Sequence, residues 1–327
     1  MKQFVMLLLS SLLIVPSALP QGSLTPPAAP TPTMKTLDQV QPRAPIGSVP
    51  FTVNAPGSYY LTQNVSVSSG DAIDIAASGV QLDLNGFTIS STGAAGSAVS
   101  VFVNLHDVTV KNGHIVGGIT YDGTSFSGSG FSTGVRSSIP VRNVLVQSVT
   151  VSGCTEGINL GLQSQSTTVK DCLVSVINGN GIRANVVLES IAQTCNGAAI
   201  WAQQAANCTA DSVGSTGMTA DNATNCRATT SAATATGMSV TYNAQNCYGL
   251  AVGGIGLLAV NATNCVGQTT TGTGLSALNG GGGVASFCRG IATGNGTGLN
   301  ATIAIGCTGS AGTGGTAIST ANKFLMP

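Results

Sequence analysis

Asn207-Cys208-Thr209-Ala210-Asp211-Ser212-Val213-Gly214-Ser215-Thr216-Gly217-Met218-Thr219-Ala220 opens one period of a repeat that returns as Asn225-Cys226, Asn246-Cys247 and Asn264-Cys265. The Asn-Cys pairs are 18, 21 and 18 residues apart. Ten to twelve residues after each Asn comes a second landmark: Gly217-Met218-Thr219-Ala220, Gly237-Met238-Ser239-Val240, Gly256-Leu257-Leu258-Ala259 and Gly274-Leu275-Ser276-Ala277. A period near this length, rich in Gly, Thr, Ala and Asn, predicts a solenoid in which each unit buries its apolar face only against its neighbours.

Working toward the N-terminus, apolar residues alternate with a period of two. Val80, Leu82 and Leu84 face one way, as do Val108 with Val110 and Val144 with Val146, which is the pattern of strands. Aligning these runs gives one turn position per coil: Gly86, Asn112, Ser148, Asp171, Glu189, Asn207, Asn225, Asn246 and Asn264. The 36-residue step from Asn112 to Ser148 marks an insertion around Tyr121–Ser132. The next residue in each coil points inward, and toward the C-terminus these positions shrink to Ala and Cys. The reading is an all-β, single-stranded solenoid of roughly twelve coils, a rod on the order of 55 Å long at ~4.8 Å per coil.

Of 327 residues, 7% are charged and 4% aromatic, and the net charge is zero. That balance offers no electrostatic case for a nucleic-acid partner. Only five charges lie beyond residue 190: Asp211, Asp221, Arg227, Arg289 and Lys323. Chemistry that needs acids, bases or metal ligands is therefore expected before that point. Residues 1–20, with Lys2, an apolar run over 4–15 and Pro16-Ser17-Ala18, read as a secretory signal peptide. Residues 21–50 are Pro-rich and read as an extended linker, with a short helix over 34–40. Residues 51–327 are the solenoid domain. No later segment is long and apolar enough to cross a membrane, so a secreted or cell-surface monomer is expected.

An Asn at a fixed turn tolerates the left-handed backbone and can pass amide hydrogen bonds from coil to coil. That arrangement resembles the asparagine ladder of right-handed parallel β-helices, the fold of pectate and pectin lyases. Pro56-Gly57-Ser58-Tyr59-Tyr60-Leu61 and Leu82-Asp83-Leu84-Asn85-Gly86-Phe87 are similar to the entry of secreted bacterial β-helix repeat proteins, as is Met34-Lys35-Thr36-Leu37-Asp38-Gln39 to the segment preceding it. The resemblance covers about residues 34–327 and implies a right-handed β-helix whose ligand groove lies on the face of the first strand in each coil.

Seven of the nine cysteines occupy one inward position, one above another. Parallel side chains are poorly aimed for vertical disulfides, so a buried stack of reduced thiols is the preferred reading over such disulfides. No CxxC pair occurs and neither His106 nor His114 is near the stack in sequence, so no metal is expected.

In each Gly-Met-x-Ala strand the residue after the apolar one faces outward. Those residues are Arg136, Asn159, Arg183, Trp201, Thr219, Ser239, Leu258, Ser276 and Asn300. Arginine forks suit the carboxylates of acidic sugars, and indole offers a flat face to a sugar ring. Arg136, Asn159, Arg183 and Trp201 are thus the candidate substrate-binding residues for a polysaccharide or cell-surface glycan. Sparse surface arginines are equally what a solvated face displays. Asp171 and Glu189 are read as turn-forming, and Asp71, Asp74 and Asp83 as turn and edge residues rather than a calcium site; no cofactor is expected.

The acid pairs of polygalacturonases and the aspartate cluster of pectate lyases have no counterpart here. Three functions remain open: a non-catalytic glycan-binding or adhesion element, a polysaccharide lyase or uronate epimerase, and, disfavoured by the irregular outward column, a Thr- and Ser-rich surface that orders water or ice. The second would use Arg183 or His114 as base, Arg136 to neutralise the carboxylate and Glu156 to assist.

Overall fold

The computed structural model describes residues 43–162, 165–278 and 282–324. The signal peptide and the short helix expected over 34–40 lie outside the described residues. The described chain is an all-β parallel solenoid of about 13 turns, with no helix among the described residues. Its first strand, Arg43–Ile46, pairs with Gly57–Leu61, so the sheet begins inside the segment read as linker. Pro45 is accommodated there because the strand lies at the sheet's edge.

Each coil contributes strands to three faces. Face A carries Ile73–Ile75, Ala95–Val101, Phe131–Ser137 and Glu156–Asn159, and continues through the starts of Ile182–Leu188 and Ile200–Ala206. Face B takes up the ends of those longer strands, and face C holds Leu173–Ile177, Ile191–Cys195 and Thr209–Ser212. The turn from B to C is the position aligned in the sequence. Asn112, Ser148, Asp171, Glu189, Asn207, Asn225, Asn246 and Asn264 all hold φ between 50° and 58° there. Asn225 donates to Asn207 and Asn246 to Asn225, each at 3.1 Å. Asp171 and Glu189 share the same left-handed φ, which agrees with their reading as turn residues.

Inward columns run in strict register and taper. On face B one column reads Leu82, Val110, Val146, Val169, Val187, then Ala205, Ala223, Ala244, Ala262, Ala285 and Ala304. On face C it reads Ile89, Ile115, Val151, Val174, Ala192, Ala210, Ala228, Gly249, Gly267, Gly290 and Gly309. Glycine is required at the end of that series by space: a Cβ on Gly249 or Gly267 would lie 2.1 Å from the carbonyl oxygen of Gly256 or Gly274 on face A. Face A keeps large apolar residues inward throughout, from Ile73 to Met218, Met238 and Leu299. The two faces thus close on each other as side chains on one of them shrink.

All nine cysteines are buried free thiols. Cys208, Cys226, Cys247, Cys265, Cys288 and Cys307 follow the B-to-C turn, each no more than 3% exposed. Their Sγ atoms are directed at the carbonyl oxygen two residues earlier, as in Cys247 to Gln245 at 3.2 Å. Burial pushes the thiols of Cys154 and Cys195 up to about 12 and that of Cys172 up to about 11, so they stay protonated at neutral pH.

The insertion forms an antiparallel hairpin, Thr120–Tyr121 with Phe126–Ser127, at a corner leading into face A. Tyr121 and Phe126 stack at 4.6 Å. Phe131, which falls inside the segment read as an insertion, Tyr121–Ser132, is instead fully buried in the core: it is the first inward residue of the strand that follows.

Candidate functional site on face A

The outward column predicted from the repeat is present in register. Arg136 lies opposite Asn159, Asn159 opposite Arg183, and Arg183 opposite Trp201. Beyond them the column runs through Thr219, Ser239, Leu258, Ser276 and Asn300. Parallel strands hold these side chains at the coil spacing, ~4.8 Å, so Arg136 to Trp201 spans roughly 14 Å.

At the centre, the Arg183 guanidinium lies over the Trp201 ring, 4.6 Å from its centroid. This cation–π contact holds the guanidinium over the indole face. Its Nε is buried and has no hydrogen-bond partner among the described residues. An unsatisfied buried donor costs stability. Next to it, Asn159 Nδ2 donates to Glu156 Oε2 at 2.8 Å. The amide and the carboxylate are thereby held together at the start and end of one short strand.

Arg136 is engaged differently. Its Nη2 donates to Ser100 Oγ at 3.2 Å and reaches Asp71 Oδ2 at 3.5 Å. Extending the column past Arg136 leads to Ser100 and then Asp74, so Asp71 and Asp74 belong to this face. The Asp71 carboxylate accepts the Ser97 N–H at 2.6 Å and sits where a Cβ on Gly96 would be, 2.0 Å away. Burial first, then the charge and hydrogen bond of Asp71, hold the Asp74 carboxyl above its ordinary value, with Arg136 opposing. One oxygen of Asp74 is buried without a hydrogen-bond partner among the described residues. Asp71, just ahead of the strand, fits its reading as a turn residue, whereas Asp74 lies within the strand Ile73–Ile75 and does not. Asp83 does fit that reading: it pairs with Arg43 at 2.9 Å and accepts the Asn85 N–H at 2.8 Å.

His114 is not part of this site. It lies on face C, opposite Thr150, with its Nδ1 bonded to the Thr150 hydroxyl. The topology therefore separates it from Arg183. A pocket of about 310 Å³ lined by His106, Arg142, Asn143 and Ser166 belongs to face B. There Asn143, then His106, hydrogen-bond Asp107 and keep its carboxyl below the ordinary range.

Among the described residues no group of three or more His, Cys, Asp or Glu side chains is placed to hold a metal ion. No helix of the described chain is long and apolar enough to cross a membrane. No family model matches the chain, and no curated protein matches its sequence.

Proposed function

We infer that the protein is a secreted or cell-surface solenoid that binds an acidic polysaccharide along face A without turning it over. The reading rests on the Arg183–Trp201 pair, in which a guanidinium lies over the ring of the chain's only tryptophan, 4.6 Å from its centroid. Such a pair offers a sugar ring an aromatic platform and a carboxylate a fork of donors. Asn159, Thr219 and Ser239 extend the line with neutral hydrogen-bonding groups. Arg136, tied to Asp71, contributes orientation rather than net charge.

Because Trp201 is the sole indole, its fluorescence reports occupancy directly. Titration with oligogalacturonate, alginate oligomers or heparin should shift it. Measured by calorimetry, which needs no indole, Arg183→Ala or Trp201→Ala should weaken binding about tenfold, or ~1.4 kcal/mol. Unchanged affinity in both variants would remove face A as the binding surface.

A lyase or epimerase has one observation on its side, the raised Asp74 carboxyl beside Arg136. Base catalysis would then fall to Asp74 in place of His114. Arg183 is unsuited, since a guanidinium keeps its proton. An ultraviolet-absorbing unsaturated product formed by the native chain and lost in Asp74→Asn would establish that activity.

A further inference from the structure

We propose that face C carries a second binding column for an anionic polysaccharide, centred on Arg227, Tyr248 and Arg289, so that one molecule bridges two glycan chains. The proposal shares its ligand class with the face A reading but rests on different residues.

The outward column of face C runs Thr209, Arg227, Tyr248, Val266, Arg289 and Thr308 in unbroken register. Arg227 and Arg289 are therefore separated by three coils, roughly 14 Å. Both are exposed, and neither side chain has an ion pair or hydrogen bond among the described residues. Between them the Arg227 guanidinium lies 5.7 Å from the Tyr248 ring centroid. The Tyr248 hydroxyl donates to Gln268 Oε1 at 3.1 Å, which anchors the ring, and the Gln268 amide N–H groups have no acceptor among the described residues. A guanidinium beside an aromatic face, with an amide within reach, repeats the chemistry of Arg183, Trp201 and Asn159.

Charge complementarity points to a polyanion. Of the five charges beyond residue 190, Arg227 and Arg289 share this column. The carboxylate on the same face, Asp211, is one coil below Arg227 in the next outward row and is occupied by the Thr229 hydroxyl at 2.8 Å. Two unpaired cations three coils apart cannot be met by one small anion, whereas a linear polymer with a charge on every unit contacts both. A parallel solenoid keeps such a column straight because each strand is pinned to the strand below.

Calorimetry with oligogalacturonate and capture of fluorescent oligogalacturonate onto oligogalacturonate beads test the proposal together. The native chain should bind two oligomers and bridge labelled chains to the beads. Arg227→Ala/Arg289→Ala should halve the stoichiometry and abolish bridging while the Trp201 fluorescence response persists. Both changes are on exposed side chains, and an unaltered melting curve verifies folding. The face A variant Arg183→Ala/Trp201→Ala should also bind one oligomer, through face C. A native stoichiometry of one that the Arg227/Arg289 variant leaves unchanged overturns the second column and spares the first. Loss of all binding in the Arg227/Arg289 variant, with none lost in the Arg183/Trp201 variant, refutes face A and keeps face C. No binding of oligogalacturonate, alginate or heparin overturns both.

Discussion

Asn225 shows how much a single side chain does at the turn between faces B and C. Its backbone is left-handed, at φ 54°, and its amide donates to Asn207 while accepting from Asn246. Asn225→Ala loses both bonds and places an alanine in a conformation it resists, so a cost of about 1–2 kcal/mol is expected. Asn225→Gly restores the backbone freedom without the amide. A denaturant series on both variants separates the two contributions, and equal losses would show that the amide stack carries the energy. Asp74 has a pH signature. Its native carboxyl holds a proton more tightly than the unfolded chain, whose ordinary value is near 3.8. As pH rises from 3.8 through the raised native value, the native state binds more protons than the unfolded one, and stability falls. Asp74→Asn should therefore melt higher than the native chain at pH 7, by about 1–2 °C, and the gap should close as pH falls below 3.8. A gap that persists at low pH would mean that the gain is not electrostatic.

At the scale of the strand, stability depends on how closely faces A and C approach. Ile89 and Ile115 begin the inward column of face C, and Gly290 and Gly309 end it. A methyl group at Gly267 would be 2.1 Å from the backbone oxygen of Gly274, which no side-chain rotation relieves. Gly267→Ala is expected to cost about 1–3 kcal/mol by forcing the two faces apart. Ala192→Gly, earlier in the same column, removes a fully buried methyl instead and should destabilise by leaving a void, about 1 kcal/mol. Thermal melts of the two variants bracket the taper. An undiminished Tm for Gly267→Ala would contradict the close approach.

Over the whole molecule, coils interact with their nearest neighbours, so opening need not be all-or-none. The C-terminal coils bury Ala, Gly and Cys where the earlier ones bury Ile, Val, Leu and Phe131, and less apolar area holds them closed. Pulsed alkylation in rising denaturant should therefore modify Cys265, Cys288 and Cys307 before Cys154. Simultaneous modification would indicate a single cooperative unit.

The repeat was legible because its period is written into the residues themselves. Only Asn and a few small polar residues are at ease at the left-handed turn, and only residues of one size fit each inward position. Strand identity, the turn positions, the buried thiols and the outward column from Arg136 to Trp201 all follow from that local periodicity. A solenoid and the order of side chains along face A were thus readable from the residues alone. What depends on contacts across coils of unequal length was not. Asp71 precedes Arg136 by 65 residues, and the irregular loops and the insertion between them hide their common face until the coils are stacked. It took the stacked coils to show that Asp71 and Asp74 border the column, that His114 looks out from another face, and that the Arg183 guanidinium lies over Trp201. Those are matters of distance between backbones, fixed by the spacing of stacked strands and by the space inside each coil.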